Sequence, residues 1–583
     1  MDSNEINDPI QVLVQELKNE DIQLRLNALS QISEIAQAIG QERTRNELIP
    51  FLTEAIDEEH DALLLLAEEL GNLIEYVGGS EYAHTILPPL QTLASVEDSV
   101  VREKCIQSIL SISRELDEDQ IQDHLLPIFM DLSSSEWFTS RSSACRLFSV
   151  TYASVEEKSK IEMRKIFGQL CSDENSIVRK EAAKSLSSVV STIEREYLVT
   201  EIVPLFISLS NDSNDLVRVF AVNNCVELSN IFQTEEEILT YIIPVYSKCV
   251  HDKSWRVRQT STENLCRLCI TVGPAITKDY LVPEFIHLLQ DPETEIRANT
   301  ALKIAEFSSL IRIFPEIILE QLIPEIEKLT KDLSKEVKIS LGISIPLLSP
   351  IIGKEQTISK LTPILNGLMS EEIPELKINL FKHLEIVARI MGANSFISDI
   401  LPNVVENSDN PYWRVRESII DFMTNFAIQL GVENFDNSFT ELWIVWLSDS
   451  VSKVREAAAK SLKKLTSVFH VDWFQGKILS RIIFLLKNKN YLIRQIAVYT
   501  FTEVAPEIGT DSLTKQVLPV IMKLKDDEIP NVRIFLAKSL QKLIPYLEEN
   551  TIQGDIKSAL LKLSKDSDSD VEFFAKQALT KLS

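Results

Sequence analysis

A chain of 583 residues carrying a formal charge of −27 and 45% hydrophobic residues can bury extensive apolar surface. The acidic balance weighs against non-specific nucleic-acid binding, which needs Lys and Arg along the contact surface. Only 14 glycines argue against an all-β fold, and no uninterrupted apolar stretch reaches the ~20 residues of a membrane span.

The acidic N-terminus, Met1-Asp2-Ser3-Asn4-Glu5, has no apolar run, so no secretory signal is expected there. Seven cysteines at scattered apolar helical positions fit a reducing compartment better than a disulfide framework. A cytoplasmic, and also nuclear, location is the expectation.

From there one phrase recurs every 38 to 41 residues: an apolar residue, then Arg or Lys, then a helix. It reads Val101-Arg102, Val178-Arg179, Val217-Arg218, Val257-Arg258, Ile296-Arg297, Val415-Arg416, Val454-Arg455, Ile493-Arg494 and Val532-Arg533. A frame set on the basic residue gives fifteen stations, at 25, 64, 102, 141, 179, 218, 258, 297, 338, 377, 416, 455, 494, 533 and 572. The repeats they define within 8–583 are 8–42, 43–80, 81–118, 119–157, 158–195, 196–235, 236–273, 274–313, 314–353, 354–391, 392–430, 431–469, 470–508, 509–546 and 547–583. An array of this kind has no single deep core for an active site; it offers a long surface.

Each unit reads as two antiparallel helices, A and B. Around station 258, residues 236–250 predict helix A, His251-Asp252-Lys253-Ser254 a polar turn, and Trp255 to about Ile270 helix B. Apolar residues one before and seven after the station lie on one helical face, Ser140 and Gly71 being the exceptions. Helix A carries a proline fourteen residues before the station (Pro50, Pro88, Pro127, Pro204, Pro244, Pro283, Pro324, Pro363, Pro402, Pro519), which predicts a bent helix. The station cation sits at the positive end of the helix B dipole, so a compensating anion is required. Asp or Glu six residues earlier in ten units predicts a ladder, each Arg reaching turn carboxylates of its own unit or the next.

The turns carry the candidate binding residues. The early turns are acidic, with Asp57, Glu58, Glu59, Asp61, Glu97, Asp98, Asp173, Glu174, Asp212 and Asp215; the late ones are mixed to basic, with Arg414, Lys453, Lys487, Lys489 and Lys523. Two polarities suggest two partners. Trp137, Trp255 and Trp413 stand at the mouth of helix B, where a large ring has little core to enter and suits an interface anchor. No catalytic residue, metal site or cofactor motif is found. Cys266-Arg267-Leu268-Cys269 is a lone CxxC deep in a helix, and the seven histidines form no two-His helical pair.

The 39-residue step, the proline in helix A and the Asp…Val-Arg turn resemble the HEAT repeat, and hence an all-α right-handed superhelical solenoid. The phrases Asn19-Glu20-Asp21-Ile22-Gln23-Leu24-Arg25-Leu26, Trp137-Phe138-Thr139-Ser140-Arg141, Asp252-Lys253-Ser254-Trp255-Arg256-Val257-Arg258, Trp413-Arg414-Val415-Arg416 and Ala537-Lys538-Ser539-Leu540-Gln541-Lys542 make the chain similar to the scaffold (A, 65-kDa regulatory) subunits of protein phosphatase 2A. That resemblance implies a non-catalytic protein working in a heterodimer or heterotrimer. It would bind the phosphatase catalytic subunit on the turns of repeats 11–15 through Trp413, Arg414, Tyr491, Pro530, Asn531 and Val532. It would bind a B-type regulatory subunit on repeats 2–8 through Glu97, Asp98, Trp137, Ile177, Lys180, Asp212, Asp215 and Arg256. Ser452 stands where the resemblance calls for an aromatic residue, and Ser176 and Lys180 stand for its Pro and Arg. An importin-β-type transport receptor is the alternative, disfavoured by the regular step; a lyase of the bilin type has no residue set to speak for it.

Overall fold

The computed structural model describes residues 9–17, 21–54, 60–432, 435 and 439–582, and among them it contains helices, turns and loops but no strand. The contacts divide the chain into two units, Met1–Leu288 and Leu289–Ser583. In the first, successive B helices pack side by side: Phe138–Tyr152 on Ser176–Thr192, that on Asp215–Ile231, and that on the helix beginning at Trp255. In the second, Pro374–Met391, Trp413–Leu430, the helix from Ser452, the helix from Tyr491 and Pro530–Leu543 stack the same way. The valine or isoleucine before each basic residue is buried, as at Val178, Val217, Val415, Val454 and Val532. Gly71 breaks the apolar pattern for a steric reason: a Cβ there would lie 2.7 Å from the Ser108 hydroxyl of the next B helix.

Eight of the ten helix A prolines follow a π-turn; Pro88 follows a 3-10 stretch, Ser80–Ile86, and Pro402 follows the α-helix Ala393–Asp399. In the unit around Pro127 the chain runs Glu118–Gln120 as α-helix, Ile121–Leu125 as π-helix and Leu126–Ser134 as α-helix. Leu126 N–H bonds the carbonyl of Ile121, five residues back. Proline has no N–H and its ring crowds the carbonyl four residues earlier, so widening the preceding turn removes both objections. The π-turns at Phe474–Ile478 and Ile552–Ile556 lead to Ser480 and Ser558 instead, so the π-turn belongs to the fold and proline exploits it. Helix Glu157–Cys171 has neither proline nor π-turn.

That helix is tied instead by a polar network. Tyr152 Oη donates to Glu194 (2.6 Å), Lys160 Nζ bonds the other Glu194 oxygen (2.8 Å), and Arg164 bonds Tyr152 Oη (2.6 Å) while stacking 3.6 Å from the Tyr197 ring centre. Burial pushes the Glu194 carboxyl up, but the hydrogen bonds from Lys160 and Tyr152 outweigh it and hold its pKa at about 2, below the ordinary 4.5. A depressed carboxylate stabilises the fold fully above its unfolded pKa, and that stabilisation is lost as pH falls through the folded value. The stability difference between wild type and Glu194→Gln is therefore expected to shrink between pH 4.5 and about 2. Urea titrations across that range check it; a difference that does not vary with pH contradicts it.

In eight units the turn into the next helix A is made fifteen residues after the station by a residue with positive φ: Gly40, Gly79, Gly273, Gly353, Gly392, Gly431 and Gly509, and in one of them His470 (φ 70°, ψ 167°). This backbone region is essentially glycine's alone, and a side chain held there costs on the order of 1–3 kcal/mol. His470→Gly is expected to stabilise the second unit by about 1 kcal/mol or more, read as a higher urea midpoint; an unchanged or lower midpoint contradicts it. Gly353 (φ 81°) also accounts for the one run among the described residues, Lys335–Met369, long and apolar enough in composition to cross a membrane: it breaks that run into the B helix of one unit and the A helix of the next.

Candidate docking rows on the intra-repeat turns

In the ladder Arg218 and six other station arginines are held by two repeats at once. Arg218 Nη1 donates to the carbonyls of Asp212 (2.7 Å) and Ser213 (3.2 Å) in its own turn. Its Nε and Nη2 make a parallel pair of bonds to Asp252 of the next turn (2.6 and 2.8 Å). Asp252 Oδ1 in turn accepts from Ser254 N–H (2.7 Å), fixing the turn that starts the next B helix. The same geometry joins Arg141 to Asp173 and Arg179 to Asp212 in the first unit. In the second it joins Arg297 to Asp332, Arg416 to Asp449, Arg494 to Asp527 and Arg533 to Asp566. So the carboxylate comes from the following unit, and the arginine's own turn supplies carbonyl oxygens. The cation that the helix dipole disfavours is thereby neutralised. Hydrogen bonding to Asp252 holds the Arg218 guanidinium above its ordinary pKa; burial pushes Asp252 up, but the bond from Arg218 outweighs it and keeps the carboxyl low.

The ladder revises the acidic row. Asp173 and Asp212 are rungs with side chains 9% and 7% exposed, so they add little free charge to the surface. Asp98 caps the helix Ser99–Ser113 through the N–H groups of Val100 and Val101 and lies 2.8 Å from His60 Nδ1. Asp215 accepts from Ser254 Oγ (2.8 Å), with Arg256 Nη1 at 3.5 Å. Glu97 and Glu174 remain open to solvent, and Asp57, Glu58 and Glu59 lie outside the described residues. On the late turns Arg414, Lys453, Lys487, Lys489 and Lys523 are all exposed.

The aromatic residues stand where their positions suggested. Trp137 is 70% exposed, and Trp255 and Tyr412 are also exposed; Trp413 and Tyr491 are half-buried. Arg414 stacks 4.5 Å from the Trp413 ring centre, and Arg256 5.0 Å from that of Trp255, so each unit presents one Trp-Arg pair on its turns. Trp137 and Tyr412 occupy the N-cap position where Asn175, Asn214, Ser334 and Asn490 cap their helices, and neither makes a capping bond. Forgoing a cap costs about 1 kcal/mol, which an exposed ring does not recover from the core. Tyr412 is one of the turn aromatics the sequence points to, though not a contact the resemblance implies; its place in the cap register singles it out further. Pro530 and Asn531 are accessible, whereas Val532 is fully buried and packs in the core. Glu97, Ile177 and Lys180 line one cleft of about 460 Å³ across three B helices of the first unit.

No group of three or more His, Cys, Asp or Glu among the described residues converges as a metal site. Cys266 and Cys269 are buried core residues, and burial pushes the Cys249 thiol up to about 12. His251 lies instead against Glu284 (2.9 Å) and the His287 ring.

Residues 440–469 match the HEAT repeat family, and 171–429 match the family described as PIK3R4-like, middle domain. Among curated proteins, the A-type regulatory subunit of protein phosphatase PP2A from Schizosaccharomyces pombe is 42% identical over 279 residues, 47% of each chain. The beta isoform of the human A-type 65 kDa regulatory subunit of serine/threonine-protein phosphatase 2A is 40% identical over 366 residues, 62% of this chain and 61% of its own. The Dictyostelium discoideum protein phosphatase 2A scaffold subunit is 49% identical over 199 residues, 34% of this chain and of its own. This chain is a HEAT-repeat relative of the phosphatase 2A scaffold subunits. The matched stretches span between a third and about three-fifths of those relatives' length. Among solved structures, Kap95p in complex with RanGDP superposes with a TM-score of 0.54 at 11% identity, over 98% of this chain and 87% of its own. Kap121p bound to Pho4p does so with 0.53 at 15%, over 98% and 56%. At such identities the likeness is one of fold alone.

Proposed function

We propose that the chain is a non-catalytic scaffold of a phosphatase 2A-type Ser/Thr phosphatase. The turns of repeats 11–15 would hold the catalytic subunit, with Trp413, Arg414, Tyr491, Pro530 and Asn531 at the contact and Val532 supporting the turn from beneath. The turns of repeats 2–8 would hold a B-type regulatory subunit, with Glu97, Asp98, Trp137, Ile177, Lys180, Asp215 and Arg256 at the contact, and Asp212 acting there mainly as a rung.

The observation that carries this reading is the contrast between the two sets of turns. Exposed aromatic residues sit beside open carboxylates in the first unit and beside exposed Lys and Arg in the second. Opposite polarities select different partners and steer each to its own place. Holding two proteins on one chain raises the effective concentration of one for the other without any new chemistry. The relatives, named regulatory or scaffold subunits, support the same role.

A pull-down with the tagged full chain from native lysate tests it. Recovery of okadaic-acid-sensitive Ser/Thr phosphatase activity is expected. Recovery of Ran-GTP-releasable cargo without phosphatase would favour a transport receptor instead.

A further inference from the structure

The ladder has a gap in the first unit. Arg102 is only 9% exposed, and its Nη1 donates to the carbonyls of Val96 (2.7 Å) and Glu97 (2.6 Å), as Arg141, Arg179 and Arg218 do in their own turns. At the rung position of the next turn, where Asp173, Asp212 and Asp252 stand in later units, is Ser135. Ser135 performs the local half of the rung's work: its hydroxyl accepts from Trp137 N–H (3.2 Å) and its carbonyl from Arg141 (3.0 Å). It has no carboxylate to reach back with, so Arg102 Nε and Nη2 have no hydrogen-bond partner among the described residues. Asp98 and Glu181 favour its charge from a distance, but Asp98 is engaged by backbone N–H groups and His60, and Glu181 by Lys180 and Lys184. Burial accordingly pushes the Arg102 guanidinium below its ordinary pKa, whereas the rung-paired Arg141, Arg179 and Arg218 lie above theirs.

Arg102 lines the cleft of about 460 Å³ with Ile106, Phe138 and Ile177; of the carboxylates at the same cleft, Glu103 is paired with Arg146 and Glu181 with Lys180 and Lys184, while Glu97 is open to solvent. A buried guanidinium with three of its five N–H donors free, at an accessible cleft that also presents Ile106, Phe138 and Ile177, is a receptor for a carboxylate on an apolar segment.

We propose that this cleft receives one Asp or Glu side chain from a partner protein, flanked by apolar residues, and that this carboxylate completes the rung Ser135 leaves open. Because Glu103 and Glu181 are already paired with Arg146 and with Lys180 and Lys184, the free donors of Arg102 select the occupant, and Ile106, Phe138 and Ile177 take its apolar neighbours. Only the partner's identity, a regulatory subunit, rests on the scaffold reading.

Ser135→Asp supplies the missing carboxylate from within and is expected to close the socket while strengthening the fold. Saturation-transfer NMR on the full chain would compare Ac-Leu-Glu-Ile-NH2 with Ac-Leu-Gln-Ile-NH2. The expected result is a signal from the Glu peptide at least about tenfold above the Gln peptide, lost in Ser135→Asp. The same variant is expected to protect the turn at 96–103 more strongly against hydrogen exchange, which excludes misfolding as the cause. Equal signals from the two peptides, a Glu signal retained in Ser135→Asp, or displacement by inorganic phosphate at lower concentration than by acetate would each overturn the proposal. In parallel, a purified B-type regulatory subunit is expected to bind Ser135→Asp about tenfold more weakly, with catalytic-subunit binding unchanged. Failure of both subunits to bind wild type would remove the scaffold reading, while the peptide comparison would still decide the socket.

Discussion

Asp252→Ala is expected to destabilise the first unit by about 3–5 kcal/mol, far more than an exposed ion pair contributes. The Arg218 side chain is 5% exposed and the Asp252 side chain 7%, so the variant strands a buried guanidinium with two donors unsatisfied. It also deletes the acceptor for Ser254 N–H, loosening the start of the next B helix. In a repeat array the damage is local, so hydrogen exchange across 212–258 should accelerate while distant helices stay protected. The double variant Arg218→Met with Asp252→Leu should recover much of the loss, because replacing both ions by apolar groups removes the stranded charge. A single-variant loss below about 1 kcal/mol would mean that the ladder contributes no more than a surface pair.

Removal of the Trp413-Arg414 pair is the second large effect. Trp413 is half-buried under the guanidinium of Arg414, which is itself exposed, so ring and cation are already ordered before any partner arrives. Anchors of this kind carry about 2 kcal/mol or more each when truncated at an interface. Trp413→Ala with Arg414→Ala is therefore expected to weaken binding of a phosphatase catalytic subunit by at least about 100-fold in surface plasmon resonance. Regulatory-subunit binding is expected to stay within about twofold. Loss of both together, with an altered circular dichroism spectrum, would point to collapse of the turn rather than to a contact.

The period of the array and the direction of its stabilising arginines are written plainly in the chain, because apolar spacing and an Arg every 39 residues leave few other ways to pack. Which carboxylate each arginine takes is not. An Asp six residues before one station lies near the arginine of its own turn and near that of the preceding unit, and spacing cannot separate the two. That ambiguity also made the early turns look more acidic than they are, since Asp173 and Asp212 are rungs. The prolines announced a disturbed helix A, but a π-turn leaves the apolar pattern almost unaltered, so its five-residue hydrogen bonds have no sequence signature. Among the turn aromatics Trp137 stands out as a bulky ring in a short turn and Tyr412 is legible the same way, although the resemblance implies no contact there; only the cap register shows that both forgo a capping bond. Val532 was drawn into the candidate contact by its neighbours Pro530 and Asn531, though its place just before the station buries it completely.

Sedimentation velocity of the full chain with purified phosphatase 2A catalytic and B-type regulatory subunits tests the central claim most directly. The account predicts a 1:1:1 complex, reduced to chain plus regulatory subunit by the Trp413→Ala, Arg414→Ala variant. Mutually exclusive binding of the two subunits, or binding of neither, would contradict it.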